Sequence, residues 1–290
     1  MPAITLLALD CGGTRCRALV QSADGAIVAE REGGPANWAA TPRQELQGNL
    51  KELLQGLHAD VGVICMAGIL TPEDKQEVAT LLNTFVPATW HAFPDTESSL
   101  AACDDPNAIC VISGTGSGVC SYNDAHQMVK SGAGGPLIGD VGSGFHTGRT
   151  ALSRFLVSGA ELPRLQQKLD AEYGYGGIQT WLAAIYATPS PQTEIAKVGS
   201  IAAALATDGD ESCQSILAEA MQALADLTLQ HMHAQGFPER QFKIYLSGGF
   251  WEASPFVPKL FTMLLRTPTY RPRLSPLQGA MKLAQSLANS

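Results

Sequence analysis

The chain has 290 residues, 45% of them hydrophobic and 16% charged, and its 19 basic and 27 acidic side chains leave a net charge of −8. At about 150 residues per domain, that length favours two domains or one large one, and the apolar content is far from a disordered composition. An acidic chain without a Lys/Arg cluster is a poor candidate for non-specific nucleic-acid or anionic-membrane binding; a phosphorylated ligand stays open, because backbone N–H groups and a cation can hold phosphate.

No segment reaches 18 uninterrupted apolar residues, which argues against a transmembrane helix. Met1–Leu9 is apolar but meets Asp10 too early for a signal-peptide core and lacks a basic leader. Cys11, Cys16, Cys65, Cys103, Cys110, Cys120 and Cys213 form no Cys-x-x-Cys pair and sit mostly in apolar runs. The expectation is a cytoplasmic chain with reduced thiols.

In chain order, Ile4–Leu9, Cys16–Gln21 and Ile27–Arg31 read as strands, with Asp24-Gly25 as a hairpin turn. Leu46, Leu50, Leu53, Leu54 and Leu57 recur at helical spacing and predict a helix from about Pro42 to Leu57. Val61–Met66 is a buried strand, Pro72–Leu82 a helix with Pro72 near its first turn, Thr89–Phe93 a strand, Thr96–Cys103 a short helix and Ala108–Ser113 a strand. The strand pattern then restarts: Gly118–Tyr122 and Met128–Val129 flank Asn123–Gln127, and a glycine-rich loop runs from Gly132 to Gly144. Helices are predicted at roughly 145–157, 162–172, 176–186, 193–206 and 211–235, then a strand Lys243–Ser247 and a final helix near Leu277–Leu287. The class is α/β. The expected domains are 1–117, rejoined by a returning helix from 276–290, and 118–275.

Three glycine motifs each follow an apolar strand: Asp10-Cys11-Gly12-Gly13-Thr14, Ser113-Gly114-Thr115-Gly116-Ser117-Gly118 and Ser247-Gly248-Gly249. Glycine lets backbone amides approach a phosphate closely. Any one of them alone would be an ordinary tight turn. The second is not a Rossmann fingerprint, because its spacing is wrong and a strand follows it, and no P-loop pattern occurs.

Together with Gly34-Pro35-Ala36-Asn37-Trp38, Phe93-Pro94-Asp95, Gly139-Asp140-Val141-Gly142-Ser143-Gly144 and Pro276-Leu277-Gln278-Gly279-Ala280, the motifs resemble, over nearly the whole chain, the N-acetylglucosamine kinase and bacterial glucosamine kinase group of the BadF/BadG-type ATPases. That group lies in the actin-like sugar kinase superfamily. The resemblance implies a two-domain actin-like, ribonuclease H-like fold with an inter-domain cleft. It also implies an activity: transfer of the γ-phosphate of ATP to a primary hydroxyl of N-acetylglucosamine, with glucosamine as the alternative. Gly12, Gly13, Thr14 and Arg15, with Gly114, Thr115, Gly116 and Ser117, would hold the phosphates. Gly248 and Gly249 would lie against the adenosine, and Asp10 would hold Mg²⁺ through water.

Asp95, just past a strand end, is the candidate base; the competing reading is a helix cap. Asn37, Trp38, Gly68 and Asp140 are the candidate sugar contacts, against a turn residue for Asn37, a core aromatic for Trp38 and a loop acid for Asp140. The chain departs from the family at Val141, where Glu or Gln is usual, and at Cys11, where glycine is commoner. Val141 keeps open a non-catalytic sugar- or nucleotide-binding protein of the same fold. An electron-transferring dehydratase activator would need cluster-ligating cysteines, whose spacing is absent. His231 and His233, two apart on a helix, make a poor metal pair. The expected partners are ATP and a small amino sugar, with no nucleic acid or membrane; a homodimer is compatible with the pattern.

Overall fold

A computed structural model describes residues 4–158, 162–237 and 241–289. The chain forms two compact units: Met1–Pro106 with Pro272–Ser290, and Asn107–Arg271.

The first unit opens with a meander, β1 (Leu6–Cys11), β2 (Cys16–Gln21) and β3 (Ile27–Gly33). It continues with α1 (Arg43–Leu54), β4 (Val61–Met66), α2 (Pro72–Phe85), β5 (Thr89–Pro94) and α3 (Asp95–Ala101), and recovers the last helix of the chain, α10 (Pro276–Ala288). Its sheet has the order β3-β2-β1-β4-β5; β1–β2 and β2–β3 are antiparallel, β1–β4 and β4–β5 parallel. The central strand β1 is apolar on both faces because both are covered. Leu7, Leu9 and Cys11 join one core with Leu46, Leu50 and Leu54 of α1. Leu6 and Ala8 join another with Leu277, Ala280, Met281 and Ala284 of α10. Edge strand β3 carries Glu30, Arg31 and Glu32, which discourage pairing with a further strand. Capping boxes start α2 (Thr71 with Asp74) and α10 (Ser275 with Gln278).

The second unit repeats this plan: β6 (Ala108–Ser113), β7 (Ser117–Tyr122) and β8 (Met128–Gly132) form the meander, and β9 (Lys243–Ser247) and β10 (Thr269–Tyr270) the parallel pair. The order β8-β7-β6-β9-β10 matches the first sheet strand for strand. Helices α4 (Gly144–Ser158), α5 (Pro163–Tyr173), α6 (Ile178–Tyr186), α7 (Pro191–Thr207), α8 (Glu211–Ala234) and α9 (Phe256–Leu265) supply its core with Trp181 and Phe261, and the short 3-10 helix Gly249–Glu252 adds Trp251. Glycine sets the α4–α7 contact: a Cβ on Gly148 would lie 1.8 Å from the Ile195 carbonyl oxygen, and one on Gly199 2.1 Å from that of Gly144.

Several features differ from the expectations. Strand β6, read with the first half, pairs with β7 and β9 and so founds the second sheet. Helix α9 has no counterpart among the expected elements; its Pro258 falls in the first turn, where a missing N–H costs nothing. Finally, not all seven cysteines are thiols. Cys11 and Cys16 oppose each other across the first hairpin, Cα atoms 4.0 Å apart, joined in a disulfide. The other five are free and buried. The pair is hidden in the sequence because hairpin register, not a Cys-x-x-Cys spacing, brings it together.

Candidate active site

In the first unit the parallel strands end at one level, with Cys11 opposite Met66 and Met66 opposite Pro94. The segments leaving those ends are laced together. Ala67 N–H donates to the Cys11 carbonyl, Ala36 N–H to Gly12 and Trp38 N–H to Ala67, at 2.8–3.0 Å. Gly12–Arg15 forms the hairpin turn, closed by Gly12 N–H to the Arg15 carbonyl at 2.9 Å. Gly13, Thr14 and Arg15 are exposed, and nothing lies within 4 Å of a Cβ built on Gly13. The turn's amides are therefore open to a ligand.

Asn37 accepts the Ala39 and Ala40 N–H groups on Oδ1, both at 3.0 Å. That Asx turn fixes the amide, because two backbone donors require oxygen on their side. The Nδ2 donors face away, free of protein partners among the described residues. Gly68, at φ +83°, is needed here: a Cβ would sit 2.3 Å from Asn37 Oδ1 and 2.5 Å from Ala39 N. Trp38 is buried at 8% exposure. Its indole N–H donates to Asp74 at 2.9 Å, and the Arg43 guanidinium stacks 3.3 Å over the ring. Backbone N–H groups of Leu70 and Thr71, with the indole, hold the Asp74 pKa down to about 2.

Asp95 is the first residue of α3, preceded by Pro94 at the cap position, which makes no side-chain cap bond. Asp10 accepts Arg17 Nη2 on Oδ2 at 2.8 Å and the Ser98 hydroxyl on Oδ1 at 3.2 Å. Burial raises the Glu97 pKa against the opposing pull of Lys75.

In the second unit the hairpin Ser113–Ser117 is closed by Gly114 N–H to the Gly116 carbonyl at 2.8 Å. The start of α4 seats on it: Gly144 N–H donates to Gly114 and Phe145 N–H to Thr115, at 2.8 and 3.3 Å. The hydroxyls of Ser113 and Ser117 donate to the Gly142 and Val141 carbonyls. Gly248, at φ +106°, lies against the same hairpin, where a Cβ would be 2.5 Å from the Ser113 carbonyl oxygen; Gly249 is open. Asp140 is 7% exposed, has φ +58° and accepts the backbone N–H groups of Ser117 and Gly135. Burial raises its pKa. A Cβ on Gly116 would lie 2.7 Å from Asp140 Oδ2. His146 Nδ1 accepts the Gly142 N–H at 3.1 Å, and burial lowers its pKa.

Residues 7–281 match the model of the BadF/BadG/BcrA/BcrD ATPase family. The chain belongs to that family. A curated relative, the N-acetylmuramic acid/N-acetylglucosamine kinase of Clostridium acetobutylicum, is 29% identical over 164 residues, which are 53% of this chain and 54% of the relative. The match thus spans about half the length of that relative. Two solved structures share the fold. A candidate N-acetylglucosamine kinase from Chromobacterium violaceum superposes with a TM-score of 0.76 at 21% identity, over 97% of this chain and 99% of the other. Another, from Porphyromonas gingivalis, gives 0.74 at 18% identity, over 99% of each chain. The architecture is that of the actin-like ATPases.

Within this BadF/BadG family member, Gly12–Arg15, Asn37, Gly68 and Asp95 gather at the carboxyl ends of β1, β4 and β5. Gly114–Ser117, Asp140, Gly248 and Gly249 gather at the ends of β6 and β9 in the second unit. Trp38 faces the core rather than the loop surface, the bland alternative for that residue. The Asp140 carboxylate lies on the second hairpin. Sequence reading missed Arg17 and Ser98. Arg17 was within reach of it, because the hairpin that pairs Cys11 with Cys16 also pairs Asp10 with Arg17; nothing local signals Ser98. Among the described residues no group of three or more His, Cys, Asp or Glu side chains could cage a cation. Asp10 has one hydrogen bond on each oxygen and spare lone pairs. This donor set suits Mg²⁺, which keeps most of its waters and relies on phosphate oxygens. No helix among the described residues is long and apolar enough to cross a membrane.

Proposed function

We propose that the chain is an ATP-dependent sugar kinase that phosphorylates a primary hydroxyl of N-acetylglucosamine, with glucosamine as the runner-up substrate. One observation supports this reading: the open glycine turn after β1, the Asn37 Asx turn packed on Gly68 after β4, and Asp95 directly after β5 all follow the carboxyl ends of parallel strands in a β3-β2-β1-β4-β5 sheet. That is where open α/β sheets bind ligands. The named activity of the Clostridium relative supports the choice of an amino sugar.

Phosphoryl transfer asks for positioning, charge neutralisation and one group to orient the attacking hydroxyl. Amides of Gly13, Thr14 and Arg15 in the turn closed by Gly12, and of Thr115 and Gly116 in the turn closed by Gly114, hold phosphate oxygens, with hydroxyls of Thr14 and Thr115 as further donors, and Gly248 and Gly249 leave room for the adenosine. Asn37 Nδ2 donates to a sugar hydroxyl, and Gly68 keeps Asn37 in that pose. Asp95 accepts the proton of the attacking hydroxyl as its oxygen bonds the γ-phosphorus and the bond to the β,γ-bridging oxygen breaks, releasing ADP. Mg²⁺, held by Asp10 through water, would neutralise charge on the phosphates. Asp140, which braces the second hairpin through the Ser117 and Gly135 amides, is the further sugar contact.

The test is ADP release, measured with ATP and Mg²⁺ over glucose, glucosamine, N-acetylglucosamine and N-acetylmuramic acid under one set of conditions. The highest kcat/KM is expected for N-acetylglucosamine. Glucose above both amino sugars overturns the substrate; no sugar-stimulated release overturns the kinase and leaves the non-catalytic binder.

A further inference from the structure

We infer that Ser98 is a positioning residue for the phosphoryl transfer proposed above: its hydroxyl ties the Asp10 carboxylate to the first turn of α3, which carries Asp95. This rests on the kinase reading.

Ser98 is 0% exposed. Its Oγ lies 2.8 Å from the Asp95 carbonyl oxygen, three residues back, and 3.2 Å from Asp10 Oδ1, 88 residues away in the chain. A hydroxyl has one proton and two acceptor lone pairs. Both of these neighbours are acceptors, so that single proton is shared between the Asp10 carboxylate and the backbone of Asp95, just past β5, while the buried Cys65 thiol is a third hydrogen-bonding neighbour of Ser98. The opposite oxygen of Asp10 is held by Arg17 Nη2, and the two side chains are only 17% and 23% exposed. Asp10 is thus clamped on both oxygens, which fixes the plane of its carboxylate and directs its remaining lone pairs.

The clamp is braced from behind. α10 approaches α3 closely enough that a Cβ on Gly279 would lie 2.1 Å from the Ser98 carbonyl oxygen and 2.8 Å from Ala102 N. Ser98 therefore cannot shift without moving the last helix. Arg17 Nε is a buried donor without a partner.

The bland alternative is that Ser98 merely satisfies its hydroxyl within the helix, as serines do by bonding back one turn. Then Asp10 would be indifferent to its loss. Partners that orient a metal-holding group are worth about 10–100-fold in metal affinity or activity when removed.

The experiment compares wild type, Ser98→Ala and Ser98→Thr. It reads ATP affinity by calorimetry with and without Mg²⁺, sugar KM, kcat and melting temperature. The expected result for Ser98→Ala is a loss of about tenfold in the gain of ATP affinity that Mg²⁺ brings, and a matching fall in kcat. ATP affinity without Mg²⁺ and sugar KM should hold, and Ser98→Thr should restore most of the loss. An unchanged Mg²⁺ dependence overturns the inference. So does an equal loss with and without Mg²⁺, or a well-folded Ser98→Thr as impaired as Ser98→Ala. Should Ser98→Ala fail to fold, Ser98→Cys, similar in size but a weak donor, carries the same outcomes. If no sugar stimulates ADP release by wild type, the kinase reading fails, and the ATP–Mg²⁺ titrations still decide whether Ser98 orients Asp10.

Discussion

Asp95 is partly buried at the start of α3 and Asp140 is buried against the second glycine hairpin, and their surroundings differ. Asp140 has two backbone N–H donors and a positive φ, so its conformation is committed to bracing the loop and hairpin. Asp95 stands first in α3, with its backbone carbonyl held by Ser98. Replacing Asp95 with Asn should therefore lower kcat by roughly 10²–10⁴-fold, the usual size of a general-base effect, while ATP and sugar binding stay measurable by calorimetry. A variant with near-normal kcat would show that Asp95 only favours the helix start. His231 makes a prediction of a different kind. It is 1% exposed and bridges the hydroxyls of Ser121 and Ser131 through Nε2 and Nδ1, both at 2.9 Å. Burial lowers its pKa from the ordinary 6.5. The folded state thus holds the proton less tightly than the unfolded one, so its contribution is full above about pH 6.5 and is lost as pH falls through the lowered value. Denaturant midpoints should decline between pH 7 and pH 5 more steeply in wild type than in His231→Gln; parallel curves would remove His231 from the account. At this scale the sequence offered residue types and little direction. Asn37 was readable as a turn residue or a ligand; the Asx turn shows the first and leaves the Nδ2 donors for the proposed second. Trp38 could not be assigned to the core until its N–H was found on Asp74, 36 positions along the chain.

Hairpins carry the candidate phosphate sites, and their glycines answer to different neighbours. Gly13 faces open space, whereas Gly116 faces the Asp140 carboxylate, 2.7 Å from where a Cβ would be. Gly116→Val should therefore do more than crowd a phosphate. It should push Asp140 off the Ser117 and Gly135 amides and loosen the second hairpin, weakening ATP binding by tenfold or more, about 1.4 kcal/mol or above. Gly13→Ala should cost less. Calorimetry on the two variants checks the ranking, and equal losses would mean that Asp140 does not brace the turn. Elements with a strong period or a long apolar run were legible in the sequence: the leucines of α1, the run Lys243–Ser247 and the long α8 all lie where periodicity puts them. Elements set by tertiary pairing were not. The two-residue strand β10 exists only because it runs parallel to β9, with Thr269 opposite Ile244. β6 could not be assigned to a sheet from its own residues, because an apolar strand reads alike wherever it pairs.

Residues 272–290 belong to the first unit, which therefore draws on segments from both sides of the second. α10 presents Leu277, Ala280, Met281 and Ala284 to Leu6, Ala8, Leu19, Val63 and Cys65, covering the face of the first sheet opposite α1. Fully burying a Leu or Met side chain contributes about 1.5–3 kcal/mol, so Leu277 and Met281 alone supply roughly 3–6 kcal/mol, before their partners on the sheet are counted. A domain's whole stability is about 5–15 kcal/mol. Removing α10 should therefore unfold the first unit, or leave it without fixed packing. The second unit, Asn107–Arg271, has its own sheet, its own core and no segment from elsewhere in the chain. A fragment of residues 107–271 should fold alone with a cooperative thermal transition. A fragment of residues 1–106 should not, and fusing residues 272–290 to it through a flexible linker should restore the transition. Circular dichroism melts of the three fragments decide it. A cooperative transition in 1–106 without the helix would mean that α10 packs on a core already able to stand alone. The bracing of Ser98 by Gly279 would then be a contact of convenience, not part of what holds the candidate base in place.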